Sequence, residues 1–381
     1  MKKLGLAAIA ALVGFCFAGV GVVFAGSEID AVKDQLEELT EQNEALMKKI
    51  EALEEKAGVA EGEEAEEMLS FINDHVNFSG AIEVEAGWGE DFEGEKGSSI
   101  DLATASFAFE ASGGDHVSGT MAIDWDGDED KLTIDEAFIT VDGGDDLPLF
   151  FQGGRYVVPF GVYEANTLSD PLTCEVFEIK EDNLMIGSAF GPVTVSGYIF
   201  NGDSNEDGGE DHIEHFGLAA NLELEAGPAA ISGHLGYLSS VVDTDGLCED
   251  FDLEADYAGG LAAQAMVELG DIGLVIIAEF ITALDELEME GNDVEPKAWH
   301  MEVDYNINVP DYPMLAALSY SGTDDLGGLY SESRLAVALG VDLGESLGVT
   351  LELAHDEDYG ESDGGTGESA NTFTAQLAYE F

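Results

Sequence analysis

From Phe78 to the last residue the chain alternates. Phe78, Ile82, Val84, Ala86 and Trp88 share one parity, while Asn77, Ser79, Glu83 and Glu85 share the other. The same period of two runs through Val117-Met121-Ile123-Trp125, Phe216-Leu218-Ala220-Leu222-Leu224 and Tyr257-Leu261-Ala263-Val267-Leu269. It continues in Ile272-Leu274-Ile276-Ala278-Phe280, Trp299-Met301-Val303-Tyr305-Ile307, Leu335-Val337-Leu339-Val341 and Phe373-Ala375-Leu377-Tyr379-Phe381. Successive strand side chains point to opposite faces, so one apolar and one polar parity predict half-buried strands of about ten residues. Connections alternate as well. Tight turns at Gly191-Pro192, Gly227-Pro228, Gly270-Asp271 and Gly344-Glu345 separate long polar stretches such as 89–98, 159–180, 201–211, 242–255 and 285–296. Short turns on one rim and long loops on the other predict an all-β transmembrane fold: a closed antiparallel outer-membrane β-barrel of about sixteen strands over residues 75–381. Closure removes the sheet edges and satisfies every backbone group in lipid.

Ahead of the strands the period changes. Ile29, Val32, Leu36, Leu39, Asn43, Leu46, Ile50, Leu53 and Ala57 recur in steps of three and four, the seam of an N-terminal coiled-coil helix over 27–57. Acidic flanking positions leave no broad apolar face for docking on the chain's own domain, so Leu36, Leu39, Leu46 and Ile50 predict self-association, with Asn43 fixing register. At 1.5 Å per residue the rod spans about 45 Å, a periplasmic spacer. Residues 58–74, with Glu61 to Glu67, read as an acidic linker. Residues 1–25 read as a signal peptide: Lys2 and Lys3, an apolar run to Val23, and a cleavage site after Ala25. The apolar run is also long enough for an uncleaved membrane anchor.

Composition narrows the partners. The chain carries 12 Lys and Arg against 81 Asp and Glu, a net charge of −69, which excludes nucleic acid as partner and favours cations. Such acidity also suits a protein working in high salt. Acidic loops are either merely solvated or a cation-concentrating mouth. Cys174 and Cys248 remain after signal removal; in an oxidising compartment they form a disulfide or stay two thiols, and spacing decides neither. Asp203, Asn205, Asp207, Gly208 and Glu214 have the spacing of a calcium-binding loop, but Glu210 replaces the usual apolar residue and strands flank it, so a weak calcium site is the most it predicts. His212 and His215, three apart on a strand, face opposite ways and make a poor metal pair. No Ser, His and Asp grouping has usable spacing for catalysis and no cofactor fingerprint appears, so no enzyme is expected.

One segment breaks the alternation. Arg155, Pro159, Phe160, Gly161 and Glu164 precede Asp170 and Pro171, combining a cation, a Pro-Phe-Gly turn and an Asp-Pro turn in one long connection. In general porins the third loop folds into the channel, so by fold analogy this segment is the expected constriction, with Arg155 facing either the lumen or a wall carboxylate.

Two resemblances add to this reading. Phe381, closing the last strand after Tyr379, resembles the C-terminal signal of bacterial outer-membrane proteins. The signal peptide, coil, linker and barrel, with Val158-Pro159-Phe160-Gly161, Ser169-Asp170-Pro171-Leu172-Thr173 and Phe200-Asn201-Gly202-Asp203, are similar to the LbtU-type siderophore porin family. That resemblance implies passive passage of an iron-siderophore complex through the outer membrane. Residues 26–74 are too few to form the plug of a 22-stranded receptor, and the extreme acidity departs from what an anionic ferric chelate needs. The expectation is therefore a homotrimeric outer-membrane channel in contact with lipid, passing a ferric siderophore or a small cationic solute. Its rivals are a general cation-preferring porin and a structural tether between outer membrane and cell wall.

Overall fold

The structure, a computed structural model, describes residues 75–126, 131–144, 147–202, 212–250, 257–289, 292–310 and 312–381. The segments expected to be signal peptide, coiled coil and linker lie outside the described residues, as do Asp203, Asn205 and Asp207. Sixteen strands form the wall: β1 (Val76–Glu90), β2 (Lys96–Ser112), β3 (Val117–Asp126), β4 (Lys131–Gly143), β5 (Leu147–Val157), β6 (Lys180–Phe190), β7 (Val193–Phe200), β8 (His215–Ala226), β9 (Ala229–Leu238), β10 (Gly260–Leu269), β11 (Leu274–Ala283), β14 (Lys297–Ile307), β15 (Met314–Asp324), β16 (Ser333–Asp342), β17 (Leu347–Glu357) and β18 (Ser369–Glu380). β12 (Leu287–Met289) and β13 (Asn292–Val294) make a separate hairpin within the β11–β14 connection, which alternation alone did not reveal. Each wall strand pairs antiparallel with its neighbours, and β1 closes the barrel against β18 with Ile82 opposite Tyr379. Gly80 and Phe381 then exchange backbone hydrogen bonds of 3.1 Å each, so the last residue completes the seam.

Parity sorts the two faces as the alternation predicts. Ile100 (76% exposed), Leu184 (62%) and Leu353 (60%) point outward, while Ile277 and Glu279 are nearly buried on the inward parity of β11. The outward residues form a bare apolar wall, the surface a barrel offers to lipid. A register shift between Glu83 and Val84 and another between Ala122 and Ile123 are bulges that re-aim the residues beyond them.

Loops depart further from expectation than strands. Half of the stretch read as a loop over 89–98 is strand, with 91–95 outside β1 and β2. Tyr257 and Ile272 lie outside the strands to which their spacing assigned them. The hydrophobic core forms where connections fold back against one end of the wall: Val158, Phe160, Phe177, Val241, Leu247 and Leu326 of the connections are buried together with Phe200, Leu238 and Ile281 of β7, β9 and β11.

Candidate functional site: a loop strapped across the lumen

The third long-rim connection, 158–179, leaves β5 and crosses the barrel. Its core half is apolar: Val158, Phe160, Leu172, Val176 and Phe177 are fully buried, and Phe160 meets Phe177 edge-on at 6.5 Å. Pro171 caps a short helix, α1 (Leu172–Phe177), which packs on β11, β14 and β15. Gly161 is required here because a Cβ would come within 2.4 Å of the Tyr163 ring. Tyr163 takes a positive φ of 58° and donates its hydroxyl to Phe177 O at 2.5 Å, stapling the loop to itself. Burial raises that phenol well above its ordinary value.

The tip hangs from wall carboxylates. Glu279 accepts from Val162 N (2.8 Å), Tyr163 N (3.3 Å) and Thr173 Oγ1 (2.7 Å). Asn166 donates its backbone N to Glu302 at 2.6 Å and its Nδ2 to Asp304 at 3.0 Å, and Thr167 Oγ1 reaches Glu302 at 3.3 Å. Glu352 accepts from Leu168 N (2.5 Å), Ser169 N (3.0 Å) and the Ser169 hydroxyl. All four acids are almost completely buried on the inward face of β11, β14 and β17. Loops carry backbone donors that must be satisfied somewhere, and charge-assisted acceptors are the strong way to do it.

Two basic groups complete the strap. Arg334 on β16 donates Nε to Asp356 at 2.7 Å and Nη1 to both Asp170 O (3.0 Å) and Glu175. His234 on β9 contacts Phe160 O at 2.9 Å through Nε2 and Asn221 at 2.8 Å through Nδ1. Register puts Asn221, His234, Gln264, Glu279, His300, Ser321, Arg334 and Asp356 in one continuous inward row across eight strands. β15 lies half-way round the barrel from β5, so the loop reaches the far wall.

Of the residues expected at a constriction, Pro159, Phe160, Gly161, Glu164, Asp170 and Pro171 all lie on this loop. Glu164 and Asp170 are exposed, while Phe160, Gly161 and Pro171 are buried. Arg155 is a correction. β5 pairs with β4 and β6 there without a bulge, so Arg155 keeps the outward parity of Phe151, opposite Ala137 and Asp182. The cation that does meet the loop is Arg334. Sequence reasoning missed it and the four carboxylates, although Glu279 offered a signal: an acid on the same parity as Ile277 and Ile281 must be answered by donors if all three are buried.

A second cluster sits where the Phe200-Asn201-Gly202 motif ends β7. His215 lies 3.1 Å from Asp243, stacks on Phe200 at 5.4 Å and meets Tyr257 edge-on at 4.7 Å. Gly202 has φ 77°, and a Cβ there would lie 2.6 Å from both Asp243 and His215. Glu214, the described member of the calcium expectation, is exposed. Among the described residues, no three His, Cys, Asp or Glu are grouped to hold a metal. Cys174 and Cys248 are not joined as a disulfide; they lie on α1 and α2 (Asp245–Asp250), which pack on each other. Burial, then the nearby Glu178 carboxylate, pushes the Cys174 thiol up.

The loop leaves an opposite arc uncovered: its hydrogen bonds reach β9, β11, β14, β16 and β17, and none reaches β18 or β1 to β4. On that arc the inward parity presents Glu83, Glu85, Asp101, Glu110, Asp124 and Glu136. Thr104 donates to Glu83 at 2.6 Å and Gln376 to Glu85 at 2.9 Å. The described wall cations of inward parity are Lys131, the first residue of β4, and Arg334, already held by Glu175 and Asp356.

A closed sixteen-stranded wall with a loop folded across it is the architecture of a porin, and solved structures agree on the fold. An anion-selective porin from Comamonas acidovorans superposes with TM-score 0.58 over 80% of this chain and 99% of its own at 10% identity. OprB of Pseudomonas putida gives 0.60 over 84% and 97% at 11%, and the outer membrane channel DcaP of Acinetobacter baumannii 0.57 over 80% and 97% at 14%. In sequence the chain is similar to a UPF0422 protein of Coxiella burnetii, 25% identical over 304 residues, 74% of this chain. A UPF0422 protein of Legionella pneumophila strain Lens is 22% identical over 288 residues, 66% of this chain. The chain spans 64% of the first relative's length and 54% of the second's. No protein-family model matches it.

Proposed function

We propose that this protein is a passive outer-membrane channel for small hydrophilic solutes and that it prefers cations. The observation that carries the reading is the division of the lumen. The strapped loop fills one side, and the passage left beside it is walled by six carboxylates, with the nearest luminal guanidinium locked in ion pairs. A pore lined by one sign of charge concentrates the opposite ion. The long-loop rim is then external, and the coiled coil, placed in the periplasm, holds a homotrimer together.

The ferric-siderophore cargo implied by the family resemblance narrows on this wall. An anionic chelate would meet Glu83, Glu85 and Asp124 on an arc where carboxylates outnumber Lys131, its described inward cation, so the suited chelates are neutral or cationic. Planar-bilayer recording under a potassium chloride gradient tests the main reading: the reversal potential should take the sign of cation selectivity, and an anion-selective or ohmically silent bilayer would overturn it. A panel of ferric chelates of different charge tests the cargo, with block of conductance expected from neutral or cationic members alone.

A further inference from the structure

Closure of the barrel leaves the sheet open at one place. β2 is paired with β1 up to the long-loop rim, where Lys96 lies opposite Glu90, but with β3 only from Ser106 opposite Asp124 downward. From Lys96 to Ala105, about 33 Å of strand, β2 therefore has a neighbour on one side only. This is the longest one-sided run among the described wall strands. Every residue from Lys96 to Ala103 is exposed, on both parities, so neither face of the run is covered.

An open edge presents alternate backbone N–H and C=O groups, and strands so exposed are usually guarded by lysines, prolines or bulges. This one is guarded at its two ends alone. The bulge between Glu83 and Val84 twists its foot, and Lys96 at its head is held by Glu90 at 3.0 Å. Between them lie Gly97, Ser98 and Ser99, which put no bulk beside an arriving strand, and then Ile100, Asp101 and Leu102. The two parities there differ in chemistry. Ile100 (76% exposed) and Leu102 (43%) face outward, while Asp101 faces inward beside its register partner Glu85. Charge at the tip above is of one sign, with Asp91, Glu93 and Glu95 all exposed.

We infer that the open edge of β2 accepts an extended peptide as an added strand, and that this peptide alternates cationic with apolar side chains. Main-chain hydrogen bonds to the free edge supply the attachment, and the alternation supplies selectivity. Residues opposite each other in a strand pair share a face, so the peptide's cations lie beside Asp101 and Glu85 and its apolar residues beside Ile100 and Leu102. A second copy of this chain fits the edge poorly, because its own Asp101 and Glu95 would set acid against acid. The inference rests on the geometry of the rim and not on conduction.

The test uses the purified full chain in detergent micelles, with backbone hydrogen exchange of residues 96–105 as the readout. The probes are a capped peptide of alternating Lys and Val, the same peptide with every backbone nitrogen methylated, and its counterpart with Glu in place of Lys. About half of the amides in the run face away from β1, and the Lys-Val peptide should slow their exchange while the other two leave it unchanged. Asp101→Lys should weaken the peptide about fivefold, since opposite charges across a strand pair become like ones, with heat-modifiable migration as the check of its fold. Should that variant misfold, Ile100→Lys, which sets a charge beside the peptide's apolar face, should weaken it similarly and keep wild-type conductance. No protection at saturating Lys-Val peptide, equal protection by the methylated or the Glu peptide, or undiminished affinity in a folded variant would each overturn the site. Amides already protected in the free chain would mean that a second copy or another segment holds the edge, and would overturn it too. A chain that takes the peptide but never conducts would count against the channel and leave the edge site standing.

Discussion

The barrel has two arcs built on one plan and used in opposite ways. From β9 to β17 the inward carboxylates Glu279, Glu302, Asp304 and Glu352 are buried and spend their lone pairs on the loop's N–H and O–H donors. From β18 through β4 the inward carboxylates Glu83, Glu85 and Asp124 meet no loop. The same residue type at the same parity is therefore a structural acceptor on one side and a field source for solute on the other. What separates the roles is whether the chain carries backbone donors across the lumen to that arc.

Removing the strap should erase the difference, and it is the largest effect expected. Deleting Asn166 to Thr173 frees Glu302, Asp304 and Glu352, leaves Glu279 only Val162 N and Tyr163 N, and opens the crossed half of the lumen, so single-channel conductance should rise with the barrel intact. Unchanged conductance in a folded variant would mean the passage does not run beside this loop. Arg334→Ala comes next. It leaves Glu175 and Asp356 without their cation and Asp170 O without its donor; breaking a buried pair costs about 3–5 kcal/mol, and the 17% exposure of the Arg334 side chain points to the low end. A lowered thermal midpoint measures it, and Lys should rescue poorly because the guanidinium holds three oxygens at once.

Single anchors should cost less. Glu352→Ala strands Leu168 N and Ser169 N, at about 1–3 kcal/mol for each donor that stays dry, and should show as gating noise rather than unfolding. On the bare arc, the double change Glu83→Gln and Glu85→Gln should leave stability nearly unchanged and reduce cation selectivity in reversal-potential recordings. Should the bare-arc change destabilise the barrel as much as Glu352→Ala, the two arcs would not differ as described. Gly202→Ala sets a scale outside the strap: a Cβ at φ 77° meeting Asp243 and His215 should cost about 1–3 kcal/mol of thermal stability.

How far these arcs could be read from the sequence follows from what each depends on. Alternation is a local signal, so the number of wall strands and the outward parity of Phe78, Ile82 and Met301 were legible. The Pro-Phe-Gly and Asp-Pro turns marked the crossing loop, because a segment that cannot continue a strand must go somewhere else. Its anchors were not legible. Val162 and Glu279 are 117 residues apart and Leu168 and Glu352 are 184 apart, and no local pattern encodes which acid meets which donor. Arg155 misled for a related reason: scarcity suggested a luminal role, while the unbroken register of β5 assigned it to the outside.

The smallest effect concerns pH and the loop's own acids. Desolvation by the surrounding loop and wall pushes the carboxyls of Asp170, whose residue keeps exposed surface, and of Glu175 up, against the pull of Arg334. A raised value in the seated loop means that seating favours the protonated form. Its contribution is therefore full below the unfolded values and is lost as pH climbs through the raised ones. These two groups should make the strap seat more firmly as pH falls from about 6 toward 4, the range just above ordinary carboxylate values. Asp170→Asn fixes one group in a neutral form and leaves the backbone bond from Arg334 to Asp170 O in place. Limited proteolysis of the loop across that range should show a flatter pH dependence in the variant than in the native chain. An identical slope in the two would assign the dependence to the wall carboxylates and make the strapped arc the sole pH-responsive partner.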